Sequence, residues 1–142
     1  MARILSIDYG KKRTGLAVTD PLQIIANGLA TVSTSELFDY IAAYVQREDV
    51  ERIVVGEPRQ PNGAPSENHP RVMQFVATLR RRLPKMPVEL YDERFTSVMA
   101  HQALIAGGAK KKTRQDKALV DEISATIILQ SYMEARKRKS AK

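Results

Sequence analysis

The chain contains no cysteine, which excludes disulfides and thiolate metal sites. Any bound metal must therefore be held by oxygen or imidazole ligands. The same absence accords with a reducing compartment. Histidine is scarce too: His69 and His101 stand isolated in the sequence and read as surface side chains rather than as bases or a ligand pair. No stretch approaches the roughly 18 apolar residues of a membrane span. The opening MARILSIDYG lacks the apolar core of a signal peptide. The expectation is a soluble, unexported, cytoplasmic chain with no membrane partner. Also missing are a GxxxxGK[ST] phosphate loop, a GxSxG elbow and an HExxH pair, so the commonest short signatures of nucleotide, serine and zinc chemistry do not apply.

What the chain does have is positive charge, +7 overall, with a pI of about 9.8. Its location says more than its sum. Lys110, Lys111, Lys112, Arg114 and Lys117 face a single Asp116, and Arg136, Lys137, Arg138, Lys139 and Lys142 close the chain. These two segments outweigh the net charge, leaving the rest slightly acidic. Basic stretches on an otherwise balanced domain suit a polyanion, because phosphate contacts dominate nucleic-acid affinity. The C-terminal stretch also reads as a disordered, solubilising tail.

With 142 residues, 43% of them hydrophobic, one domain can bury its own core. Residues 1–136 are expected to form it, with 137–142 as a basic tail. Ala2 to Tyr9 is apolar on both faces, as in a central strand. Gly10 to Arg13 makes a turn, Thr14 to Asp20 alternates as a second strand, and Leu22 to Val32 returns as a third, with a bend or bulge at Asn27-Gly28. Ser33-x-x-Glu36 reads as a capping box before a helix carrying Leu37, Ile41, Tyr44 and Val45. Glu51 to Gly56 is a buried strand. The segment EPRQPNGAPS after it holds three prolines and is irregular. Ser66 is placed to cap a second helix with Val72, Phe75, Val76, Leu79 and Leu83 as its apolar stripe. Pro87 to Glu93 is a fifth strand, Thr96 or Ser97 starts a third helix ending at Gly107-Gly108, and a fourth spans Lys117 to Arg136. The order βββαβαβαα predicts an α/β fold, a mixed five-stranded sheet whose first three strands are antiparallel, with helices on both faces.

Three acids stand out. Asp8 lies in a strand that is apolar on both sides, where a carboxylate needs a partner. Lys11, Lys12 and Arg13 could supply one in a purely structural pair, and a divalent cation is the other possibility. Glu93 ends the fifth strand beside Asp92, whose side chain alternation sends to the opposite face; a solvated strand end would also accommodate it. Asp121 lies in the first turns of the last helix, favoured there by the helix dipole, yet it shares a face with Ala125 and Ile128 and should point toward the sheet. Hard carboxylate ligands of this kind hold Mg²⁺ or Mn²⁺ for phosphodiester hydrolysis, two ions about 4 Å apart activating water and stabilising the leaving oxygen.

Together IDYGKKRTGLAVTD, IVVGEPRQPNG, YDERFTS and VDEISATIILQSYME resemble the YqgF/RuvX family over nearly the whole chain. The resemblance implies a ribonuclease-H-like nuclease with a carboxylate site of Asp8, Glu93 and Asp121. It further implies dependence on Mg²⁺ or Mn²⁺ and a role in maturing the 5′ end of 16S ribosomal RNA. An alternative substrate in the same family is the four-way DNA of a Holliday junction. Asp8 is expected to bridge the ions, while Lys11, Lys12, Arg13, Arg94, Lys110, Lys111, Lys112, Arg114 and Lys117 hold the phosphate backbone. The chain departs from the family at Glu57, where an apolar residue is usual; Glu57 reads as a surface charge or as a fourth acid near the cluster. Two rivals remain. IDYG also resembles the first phosphate motif of actin-like and sugar-kinase ATPases, against which the length of the chain argues. A noncatalytic RNA-binding or ribosome-assembly module is the other. RNA trimming needs only a monomer, whereas paired junction cuts favour a homodimer.

Overall fold

Alternation along the first strand sets the layers. In β1 (Arg3–Asp8) Leu5 and Ile7 face one side, Ile4, Ser6 and Asp8 the other, and the four residues from Ile4 to Ile7 are all buried. A strand covered on both faces belongs in the middle of a sheet, and there it lies. The order is β3-β2-β1-β4-β5, with β2 at Arg13–Thr19, β3 at Ala26–Ser33, β4 at Val50–Glu57 and β5 at Val88–Asp92. β1 pairs antiparallel with β2, and β2 with β3, while β1–β4 and β4–β5 are parallel. The computed structural model describes residues 2–60, 62–92 and 117–140, with the side chains of 117–119 and 138–140 outside that description.

Helices cover both faces. α1 (Leu37–Arg47) and α2 (His69–Arg82) bury Leu37, Ile41, Tyr44, Val72, Val76 and Leu79 against Leu5, Ile7, Leu16, Ile53 and Val55. On the opposite face α3 (Lys117–Ser140) buries Ala125, Ile128, Leu129, Tyr132 and Met133 against Ile4, Ala17 and Val54. Polar groups fix its seat: the buried Ser6 hydroxyl donates to the Ala125 carbonyl at 2.7 Å. The Tyr132 hydroxyl donates to Glu89 of β5, and Arg52 reaches the same Glu89 at 2.9 Å. α3 is thus held at Ala125 and again two turns later at Tyr132, which matters because its first turns carry Asp121. Among the described residues no helix is long and apolar enough to cross a membrane.

Several expected local features differ. The third strand begins at Ala26 rather than Leu22, because the Asp20 carboxylate accepts the Ile24 and Ile25 amides at 2.7 and 2.8 Å and withholds them from the ladder. The expected irregularity at Asn27-Gly28 is a bulge: Leu16 pairs with Ala30 but Ala17 with Gly28, leaving Leu29 as the extra residue. The capping box does not form. Ser33 precedes a 3-10 turn, Thr34–Glu36, without a side-chain cap bond, and its hydroxyl bonds Ser35 instead. Nor does Ser66 cap α2; Asn68 occupies the cap position and turns its amide to the Tyr9 carbonyl at 2.9 Å. α3 runs on to Ser140, so residues 137–140 of the expected tail are helical. The helix expected between Thr96 and Gly108 lies outside the described residues.

Candidate active site

The register places two of the three expected acids at one corner. Asp8 pairs directly with Gly15 across the β1–β2 ladder, and directly opposed residues in an antiparallel pair project to the same face. A Cβ on Gly15 would lie 2.1 Å from the backbone oxygen of Asp121, so that face is the one α3 covers. Asp8 therefore projects toward the first turns of α3, on the side shared by Ile4 and Ser6. Asp121 is three-quarters buried there, and the Arg13 guanidinium donates its Nε–H to Asp121 Oδ2 at 2.6 Å. The carboxylates come from the first strand and the last helix. Gly15 brings the two elements together: lacking a side chain, it allows the helix backbone at Asp121 to approach the sheet surface beside Asp8.

The turn between the two strands is built to hold this corner. The Thr34 hydroxyl donates to the Gly10 carbonyl at 2.7 Å, and the Thr34 amide donates to the Lys12 carbonyl at 3.0 Å. Thr14 and Thr34 hydroxyls bond each other at 2.9 Å. Lys11 and Lys12 are left exposed at the tip, available to a phosphate, whereas Arg13 turns inward to Asp121. The carboxylates and these lysines border one end of the sheet, where β1, β4 and β5 all finish.

Glu57 does not join Asp8. Alternation from Ile53 and Val55 places Glu57 on the face of α1 and α2, opposite α3, and it is no surface charge either. Its side chain is 18% exposed and bonds both Arg59 and His69 at 3.0 Å. His69 is likewise 18% exposed, so its expected surface role is corrected as well. Arg59 also donates to the Gly63 carbonyl at 2.8 Å, so the cluster pins the proline-rich loop to the end of β4. The His69 hydrogen bond foremost, and then Arg59, hold the Glu57 carboxyl below its ordinary value against the effect of burial. A carboxyl lowered on folding stabilises the fold above its unfolded pKa and loses that contribution as pH falls through the folded value. Glu57→Gln should cost about 1 kcal/mol at neutral pH, seen as a lower Tm. The gap to wild type should close as pH drops below the unfolded value of 4.5; a gap constant from pH 7 to 3.5 would refute this reading.

Glu93, Arg94, Lys110, Lys111, Lys112, Arg114 and His101 lie outside the described residues, as does the Lys117 side chain. Among the described residues no three acidic or imidazole side chains group as a metal centre. Asp8 and Asp121 form a two-carboxylate corner of hard oxygen donors, the chemistry Mg²⁺ and Mn²⁺ prefer over nitrogen or sulfur. The sequence reading missed Gly15, the Thr14–Thr34 latch and the Glu57–His69–Arg59 cluster. A glycine inside an otherwise regular strand is the one signal that points to the first of these.

A family model described as "RuvX: Holliday junction resolvase" matches residues 2–135. The chain belongs to the RuvX family. A protein of Phocaeicola vulgatus named "Putative pre-16S rRNA nuclease" is 66% identical to this RuvX chain over 137 residues, covering 96% of it and 99% of the relative. A protein of the same name from Bacteroides fragilis is 61% identical with the same coverage. Among solved structures, Thermus thermophilus RuvC in complex with a Holliday junction substrate is 18% identical, with 96% of each chain covered and a TM-score of 0.56. That likeness establishes the ribonuclease-H-like fold for this RuvX chain. By family it is a nuclease, a hydrolase of phosphodiester bonds.

Proposed function

We propose that the chain is a metal-dependent endonuclease that trims the 5′ end of 16S ribosomal RNA precursor, with Asp8, Asp121 and Glu93 as its ion-holding carboxylates. The observation that supports this reading is the close approach of the Asp121 backbone to Gly15, the residue paired with Asp8, which puts two acids far apart in sequence on one face of the sheet. Glu93, which follows the last residue of β5, supplies the third carboxylate. Divalent ions bound there would supply an activated water and neutralise charge on the phosphate and the leaving oxygen. Asp8, projecting from the central strand, and Asp121, in the first turns of α3, would hold the ions. Lys11 and Lys12 bind the phosphate backbone at the tip of the turn, and Lys110, Lys111, Lys112 and Arg114 serve as further phosphate contacts. Backbone contacts position a strand without reading its sequence, so RNA structure selects the cleavage position. The names of the 66% and 61% identical relatives favour precursor RNA.

The test is cleavage of a precursor fragment spanning the 5′ end of 16S RNA, beside a four-way DNA junction, with Mg²⁺ or Mn²⁺ and with chelator. Cutting of the RNA that stops in chelator is expected. Cutting of the junction alone would overturn the RNA assignment. Binding offers a second check. Replacing Lys110, Lys111 and Lys112 together with Ala should weaken RNA binding and flatten the slope of log K against log salt by roughly two to three. A slope equal to that of wild type would place the nucleic-acid surface elsewhere.

A further inference from the structure

Arg13 sits in an unusual position for a phosphate-binding residue. It is the first residue of β2, directly after the exposed Lys11 and Lys12, yet its guanidinium is spent on Asp121. The contact is short, 2.6 Å from Nε to Oδ2, with 38% of the Arg13 side chain and 25% of the Asp121 side chain exposed. A partly exposed pair of this kind contributes modestly to stability. α3 has other anchors: its buried apolar stripe, the Ser6 bond to Ala125, and Tyr132 on Glu89. The pair is therefore one of several contacts that seat the helix. It does place a permanent cation on a carboxylate that the proposed site assigns to divalent ions.

We propose that Arg13 is an exchangeable counter-cation: it occupies Asp121 until a divalent ion binds there, and then transfers to the phosphate of the nucleic acid. The inference rests on the metal-site reading of Asp8 and Asp121. A carboxylate oxygen bound to Mg²⁺ or Mn²⁺ at about 2.1 Å carries most of its charge toward the ion, and the ion repels a guanidinium on the same oxygen. Arg13 can leave because it is the first residue of β2, next to the exposed Lys11 and Lys12, and more than a third of its side chain is open to solvent. The released fork stands beside the ion, where a phosphate drawn to that ion offers two oxygens to the guanidinium, a pairing arginine makes bidentately. Ion binding and strand binding are coupled through one side chain. In the absence of metal the guanidinium offsets the charge of Asp121, which limits repulsion between Asp8 and Asp121. With metal present, the same arginine adds a phosphate contact that the metal-free protein lacks.

Calorimetric titration of the full chain with Mn²⁺, without nucleic acid, tests the exchange. Arg13→Gln removes the competing cation and should tighten Mn²⁺ binding roughly fivefold, the scale of a partly exposed ion pair, with Arg13→Lys between the two. Binding of an uncleavable 2′-O-methyl RNA should strengthen on adding Mn²⁺ to wild type, and by a smaller factor for Arg13→Gln. Should Arg13→Gln fail to fold by circular dichroism, Arg13→Lys must still bind Mn²⁺ more tightly than wild type. Equal or weaker Mn²⁺ binding in the folded variants, with binding abolished by Asp121→Asn, overturns the exchange and leaves the metal site standing. No Mn²⁺ binding to wild type overturns both.

Discussion

Asp8→Asn should reduce cleavage on the order of a thousandfold, about 4 kcal/mol of barrier, while leaving the fold intact. Asparagine keeps the shape of the side chain and loses the charge that a divalent ion needs. Asp8 is half-buried at the end of the central strand, opposite Gly15 and facing α3, so the loss is felt at the ion-holding corner and not in the core. Asp121→Asn should fall by a similar factor for the same reason, approached from the helix side. Single-turnover cleavage of precursor RNA in saturating Mn²⁺ checks both, with thermal melts to show that folding is preserved. A variant of Asp8 that cuts at the wild-type rate would remove it from the site.

Gly15→Ala should be far more damaging than its single methyl suggests. The added carbon would stand 2.1 Å from the Asp121 carbonyl oxygen and 2.4 Å from its carbonyl carbon, and helix backbone cannot yield as a side-chain tip can. Relief requires α3 to lift from β2, loosening Ala125 and Ile128 from the sheet. Overpacking of this sort costs about 1–3 kcal/mol, here at the upper end, or on the order of 10 °C in Tm. Activity should fall further, because the lifted turn carries Asp121. Gly28→Ala provides the comparison. Its added carbon would meet the Glu122 side chain, 2.4 Å from Oε1, a flexible partner that can swing away. Melting curves of the two variants should differ by several degrees, Gly15→Ala being the lower. Equal melting temperatures would mean that the close approach of α3 to β2 does not hold.

Much of this was legible in the sequence because the signals were periodic. Two-sided burial of ARILSIDY gave β1 its central place, and the spacing of Leu37, Ile41 and Tyr44 gave α1 its face. Asp121 could be aimed at the sheet from its partners Ala125 and Ile128, both of which are buried. What failed were local polar choices that several patterns fit equally well. Ser33-x-x-Glu36 is a capping box by spacing, but a 3-10 turn ahead of α1 moves the helix start past both residues. Asp20 could not be seen to hold two amides, and so the third strand was begun too early. Glu57 and His69 are 12 residues apart across an irregular loop, and no periodicity links such residues before the chain is folded. Arg13 illustrates the same limit at the site. Its charge and proximity to Asp8 suggested a phosphate, whereas its strand face turns it to a carboxylate 108 residues away. Which residues could carry chemistry was readable from their types; which of them touch depends on how strand and helix pack.

The central claim is that Asp8 and Asp121 hold the same ion. The most direct measurement is the Mn²⁺ affinity of wild type, Asp8→Asn, Asp121→Asn and the double variant, taken by calorimetry on the intact chain. Two carboxylates sharing one ion should be strongly coupled, so that either single change removes most of the affinity and the double variant loses little more. Losses that simply add, or a single variant that binds as wild type does, would show that the two acids do not form one site.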